Sequence, residues 1–138
     1  MYMANRNILK GMGTGISAAL MSFFCLMTAQ ACHPSGVVSV DNAEFAATIS
    51  DTSAVILIDV RTPEEFNAGH IPGAVNIDVQ SPDFCDEILK LDNKKTAAVY
   101  CRSGVRSMKA ASILSSEGFK VCNLRKGFLG WDGPVVRP

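Results

Sequence analysis

Seven residues from Ala54 to Val60, Ala-Val-Ile-Leu-Ile-Asp-Val, are apolar but for one aspartate, and most are β-branched. A continuous run of this kind predicts a central strand covered on both faces, as in a parallel sheet. Thr96 to Tyr100 (Thr-Ala-Ala-Val-Tyr) reads as a second buried strand. Shorter strands are expected at Val37 to Val40, Ala74 to Ile77 and Lys120 to Leu124. Helical patterns fall between them. Asp41 to Ile49 has Ala43, Phe45, Ala46 and Ile49 near helical spacing, with Ser39 or Asp41 as caps. Thr62-Pro63-Glu64-Glu65 opens a short helix with Thr62 as N-cap, and Gly69 ends it. Ser81-Pro82-Asp83 opens another, running to about Leu91. Ser107 to Glu117 sets Ala110, Ile113 and Leu114 on one face, with Gly118 as its stop. The tail from Gly127 to Pro138 is rich in Gly and Pro and shows no period. Strands alternating with helices predict an α/β fold: a parallel sheet of about five strands with helices on both faces.

The first 31 residues follow a different pattern. Arg6 and Lys10 precede Ile16 to Met27, an uncharged and mostly apolar run of 12 residues. That run falls short of the about 20 residues a membrane span needs. Ala29-Gln30-Ala31 then offers small residues where a signal peptidase reads. The segment is read as a signal peptide (1–31), followed by a linker (32–36) and one domain (37–138), and the protein as exported to the periplasm or cell envelope. Cys32, at the first mature position, resembles the lipidated cysteine of bacterial lipoproteins, although Ala29 stands where these usually carry Leu. Membrane attachment through a lipid on Cys32 is one expectation. An ordinary cleaved signal with a chance cysteine is the other.

Charge narrows the function classes. The chain has 13 basic and 13 acidic residues. Without the first 31 it has 11 and 13, a net charge of −2. That balance argues against a general nucleic-acid binder, which would need a basic face. Five cysteines are present, with no C-x-x-C pair, so neither a zinc site nor a thioredoxin-like motif is indicated. Cys85 and Cys122 could pair in an exported compartment. The commoner role for such isolated residues is as small buried hydrophobes.

Cys101 stands apart. It lies where a buried strand ends and a helix is about to begin, the edge at which parallel α/β sheets bind ligands. Cys101-Arg102-Ser103-Gly104-Val105-Arg106 fills the turn. Gly104 lets the backbone curl so that successive N–H groups face inward as an anion nest. The helix expected from Ser107 adds its unsatisfied N–H groups, and Arg102 and Arg106 add full positive charge. All favour a thiolate, and hence a nucleophile. On this reading both arginines bind the oxygens of an anionic substrate, and the amides of Arg102, Ser103, Gly104, Val105 and Arg106 cradle the sulfur.

These residues resemble the rhodanese family, the thiosulfate sulfurtransferases. Cys101 to Ser107 is similar to the active loop of single-domain members. Asp59-Val60-Arg61 resembles the family's Asp-x-Arg stretch. Glu64-Glu65-Phe66 with Gly69-His70-Ile71-Pro72-Gly73-Ala74-Val75-Asn76-Ile77 resembles its second signature. Gly127-Phe128-Leu129-Gly130-Trp131 resembles its Gly-Gly-x-x-x-Trp region, with Phe128 where a second Gly is common. The resemblance runs from about Val37 to Val135. It implies a Cys101 persulfide, a small anionic donor such as thiosulfate, a thiol or protein-cysteine acceptor, and no metal or organic cofactor.

Other residues carry less. Asp59 and Arg61 follow a strand end and could border the site, but a structural ion pair or loop anchor is the commoner role. His70 is expected to be structural, because a thiolate already stabilised by its loop needs no base. Trp131 is expected in packing, Ser103 in a loop hydrogen bond and Ser107 as a helix cap. A phosphatase or arsenate reductase would need a wider loop than the four residues, Arg102 to Val105, between Cys101 and Arg106. A persulfide carrier without turnover, or a redox partner module, would use the same Cys101 chemistry and stays open. So does a catalytically silent binding domain, which retention of Cys101 with both arginines disfavours.

Overall fold

The structure is a computed structural model that describes residues 36–138. The expected signal peptide and Cys32 lie outside the described residues, as does all of the expected linker but Gly36.

Five strands form one sheet: β1 (Val37–Val40), β2 (Val55–Asp59), β3 (Val75–Asn76), β4 (Thr96–Tyr100) and β5 (Lys120–Leu124). Their order across it is β1-β5-β4-β2-β3, and every pairing is parallel. Among the described residues the α-helices are α1 (Asn42–Ile49), α2 (Pro63–Ala68), α3 (Phe84–Ile88) and α4 (Val105–Ser116). The apolar β4 sits in the middle, flanked by β5 and β2. Its side chains alternate between two cores, because successive residues of a strand point to opposite faces. Ala97 and Val99 join Phe84 and Ile88 of α3 and Ala110, Ala111 and Leu114 of α4. Ala98 and Tyr100 join Phe45 of α1, Leu57 and Leu124 on the other face. Helices on both faces of a parallel sheet are the expected α/β architecture.

Several boundaries differ from the expectation, each for a local reason. β2 and β3 are shorter than their apolar runs, although Val60 N still donates to Tyr100 O at 3.0 Å and Ile77 N to Asp59 O at 3.0 Å. The third helix keeps only Phe84–Ile88. Before it, Ser81 makes a turn, its carbonyl accepting from Phe84 N and its hydroxyl from Asp83 N. After it, Lys90 N and Leu91 N reach back only three residues, to Glu87 O and Ile88 O. The last helix starts at Val105, two residues before the expected Ser107, because Gly104 takes a left-handed conformation (φ 100°) and closes the loop sooner. The α2 entry follows the sequence closely. Thr62 Oγ1 accepts from Glu65 N while the Glu65 carboxylate accepts from Thr62 N, a reciprocal cap.

The tail is more ordered than its composition suggests. Phe128–Gly130 forms a 3-10 turn. His70 and Val136 make an antiparallel bridge, His70 N donating to Val136 O at 3.0 Å and Val136 N to His70 O at 2.8 Å.

Candidate active site

Cys101 follows the last residue of β4 and is 1% exposed. Its carbonyl accepts from Phe128 N at 2.7 Å, and the Arg102 carbonyl accepts from Leu129 N at 3.0 Å. The 3-10 turn of the tail thus holds these two carbonyls. Gly127 makes this approach feasible, since a Cβ there would lie 2.5 Å from Arg102 O and 2.7 Å from Cys101 O. Gly104 N donates to Cys101 Sγ at 3.1 Å. A Cβ on Gly104 would collide with the Arg125 carbonyl, so glycine is required there by space as well as by φ.

Burial alone would push the Cys101 thiol up. Hydrogen bonds from the Ser107 hydroxyl and from the amides of Ser107, Gly104 and Ser103 outweigh burial, and the thiol lies below its ordinary value. Ser107 is not the expected cap. It is fully buried in the first turn of α4, and its Oγ donates to Gly104 O at 3.1 Å. A hydroxyl has one proton and rotates to suit its acceptor. That proton serves Gly104 O when Cys101 is neutral and can swing to the sulfur when it is charged. The loop therefore meets a thiolate with donors from the backbone and one side chain.

Arg106 is engaged differently from the sequence expectation. Its Nη1 donates to Glu65 Oε2 at 2.7 Å and its Nη2 to Glu65 Oε1 at 2.8 Å. The planar fork, expected to hold the donor's oxygens, is filled by a carboxylate. The pair is half-buried, with the two side chains 24% and 28% exposed. The Arg106 fork is what chiefly holds the Glu65 carboxyl at about 2. In the sequence Glu65 stands at the start of a short helix and within the second signature, with nothing to tie it to Cys101. Its neighbour in space is 41 residues away, and no local pattern marks that distance. Arg102 is exposed.

Asp59 and Arg61 form a buried ion pair, Nη2 to Oδ2 at 2.6 Å. Arg61 Nη2 also donates to Gly69 O at 2.7 Å, and its guanidinium carbon lies 4.2 Å from the centroid of the Phe128 ring. The pair anchors the strand end. Arg61 also lines a groove of about 190 Å³ beside Arg102, whereas Asp59 is fully buried behind it.

The remaining candidates fall into structural places. His70 Nδ1 lies 3.0 Å from Phe66 O, and its ring stacks on Phe66 at 3.8 Å. Trp131 packs edge-on to Phe45, and its Nε1 donates to Pro134 O. Cys122 is buried as expected. Cys85 is exposed, contrary to expectation, because it sits on the outer side of the short α3 whose inner residues are Phe84 and Ile88. Both are free thiols, so no disulfide joins them.

Comparison with known proteins agrees with this arrangement. Residues 41–133 match the Rhodanese-like domain family. A sulfurtransferase of Allochromatium vinosum is 36% identical over 104 residues, 72% of this chain and 94% of that protein. The crystal structure of a rhodanese-related protein from Thermoplasma volcanium is similar with a TM-score of 0.63 at 30% identity, over 71% of this chain and 96% of that one. A rhodanese-like domain protein from Staphylococcus aureus is similar with a TM-score of 0.63 at 27% identity, over 72% and 97%. The chain therefore belongs to the rhodanese family, with a general role in sulfur transfer.

Proposed function

We propose that the chain is a thiosulfate sulfurtransferase that works through a persulfide on Cys101. The observation that carries this reading is the thiol itself: Cys101 Sγ, at the carboxyl edge of the sheet, receives the Gly104 amide at 3.1 Å and lies below its ordinary pKa. The Cys101 thiolate attacks the outer sulfur of thiosulfate. A new sulfur–sulfur bond forms to Cys101, the donor's own sulfur–sulfur bond breaks, and sulfite leaves with the electron pair. The amides that met the thiolate then hold the charged persulfide. An acceptor thiolate attacks its outer sulfur, carries it off as a new persulfide and restores the Cys101 thiolate. No residue is needed as a base, which accords with His70 bonded to Phe66 O.

The acceptor is a small thiol or a protein cysteine. Two apolar side chains stand out beside the loop, Val105 at 76% and Leu129 at 65% exposure. Their exposure favours a protein partner on the acceptor side, and turnover with thiosulfate compared with protein donors separates enzyme from carrier. Cys101→Ser abolishes thiosulfate:cyanide transfer, while Cys85→Ser and Cys122→Ser keep most of it. Activity surviving in Cys101→Ser would remove the mechanism.

Export is part of the same proposal. It rests on Arg6, Lys10, the apolar run and Ala29-Gln30-Ala31. Mass mapping of the mature N-terminus is expected to begin at Cys32, and an intact Met1 in the exported pool would refute cleavage. If Cys32 carries lipid, Cys32→Ser releases the protein from membranes.

A further inference from the structure

The groove of about 190 Å³ beside the Cys101 loop is lined by Arg61, Glu65, Arg102, Phe128, Leu129 and Arg137, among others. Its charges fall into two classes. Arg61 is paired with Asp59, and Glu65 with Arg106. Arg102 and Arg137 are exposed, and among the described residues neither belongs to an ion pair. The lining thus carries two uncommitted positive charges.

Arg102 is tied to the nucleophile, and Arg137 to the second motif. Arg102 follows Cys101 directly, and its carbonyl is held by Leu129 N. Arg137 comes from the tail, which the sequence left without a pattern. The two hydrogen bonds between His70 and Val136 fix the residue before it. Its stem crosses Gly69 closely, since a Cβ on Gly69 would lie 3.5 Å from Arg137 Cγ. The carbonyl of that same Gly69 accepts from Arg61. The chain end is therefore strapped across the second motif, with a guanidinium at the groove.

We propose that Arg137 and Arg102 are the anion-recognition pair of this sulfurtransferase, binding the sulfonate oxygens of the donor and then the departing sulfite. The inference rests on the reading of Cys101 as acceptor of thiosulfate sulfur. It follows from how the other cations are used. The Arg106 fork is filled by Glu65, and the Arg61 guanidinium by Asp59 and Gly69 O. A doubly charged anion entering the groove meets Arg102 and Arg137 in a lining whose one acidic side chain, Glu65, is already paired with Arg106. Guanidinium N–H groups are suited to sulfonate oxygens as they are to other oxyanions. Arg137 is thus a specificity-determining residue, lying outside the motifs that resemble the family.

The test has two arms. Steady-state thiosulfate:cyanide kinetics are compared in the wild type, Arg137→Ala, Arg137→Lys, Arg102→Ala and Lys90→Ala, an exposed lysine off the groove that controls for lost charge. Separately, sulfate is titrated as a protectant of Cys101 against iodoacetamide, which reads anion binding without turnover. Arg137→Ala is expected to raise the thiosulfate KM about 3- to 10-fold, within the range of a charge-assisted contact in a screened site. It leaves kcat within about twofold and weakens sulfate protection by a similar factor. Arg137→Lys keeps most of both, and Lys90→Ala changes neither. The pH profile of alkylation stays where it is in Arg137→Ala, since that residue is argued to bind donor and not to tune the thiol. An unchanged KM together with unchanged sulfate protection in Arg137→Ala would overturn the pair. If the wild type itself fails to turn over thiosulfate, the parent reading has failed, and the sulfate arm still decides whether these arginines bind an oxyanion.

Discussion

The carboxylate of Glu65 grips the Arg106 guanidinium with both oxygens, at 2.7 and 2.8 Å, and with the same group accepts from Thr62 N at the start of α2. One side chain thus caps a helix and fixes the arginine that closes the Cys101 loop. Arg106 supplies its charge to the loop from a held position. Removing Glu65 breaks a half-buried pair and half of a capping box together. A loss of about 1–3 kcal/mol is expected for Glu65→Ala, between the values of exposed and buried pairs with a cap added. Urea unfolding measures it, and a double-mutant cycle with Arg106→Ala separates the pair from the cap.

The same contact gives a pH dependence. The Glu65 carboxyl sits at about 2 when folded, chiefly through the Arg106 hydrogen bond, against an ordinary value of 4.5. Its contribution is therefore fully present above pH 4.5 and is lost as pH falls towards 2. Stability of Glu65→Gln is expected to fall less steeply than wild type across that window. Parallel acid-unfolding curves would show that the carboxylate is not held by Arg106.

Asp59 and Arg61 predict a larger effect on folding. Both are buried, so Asp59→Asn strands an arginine charge beneath Phe128. Breaking a buried pair by removing one partner costs about 3–5 kcal/mol. The urea midpoint should fall accordingly, and a change under about 1 kcal/mol would show that water or Gly69 O suffices for the guanidinium.

Ser107 and Gly104 act on the sulfur. Folded Cys101 titrates below its ordinary value, so its thiolate is populated at lower pH than in the unfolded chain. Ser107→Ala removes a donor to that thiolate and should move the pH profile of iodoacetamide alkylation upward, with little change in the thiosulfate KM. Gly104→Ala should shift it too, and should also destabilise the fold. A left-handed φ costs a residue with a Cβ about 1–2 kcal/mol before its clash with the Arg125 carbonyl is counted. A profile unmoved in both variants would contradict the hydrogen-bond account of the thiolate.

The sheet was legible because its strands are apolar blocks of β-branched residues, as in Ala54 to Val60, and periodicity reports burial directly. The nucleophile was legible because Cys101, Gly104 and the helix start are adjacent in the chain. What escaped was long in sequence and short in space. Glu65 meets Arg106 across 41 residues. Arg137 reaches the groove through a two-bond bridge at His70, in a tail whose Gly and Pro residues hide any period. The early start of α4 escaped for a different reason. A left-handed glycine can cap a helix as well as end one, and the sequence alone does not say which residue after it begins to wind.

One covalent change on Cys101 tests the persulfide mechanism most directly. The purified protein is treated with thiosulfate, digested and mapped by mass spectrometry under non-reducing conditions. One added sulfur atom is expected on the peptide that carries Cys101, with none on those carrying Cys85 or Cys122, and cyanide should remove it. A Cys101 peptide without added sulfur, or sulfur found only on the exposed Cys85, would contradict the persulfide mechanism.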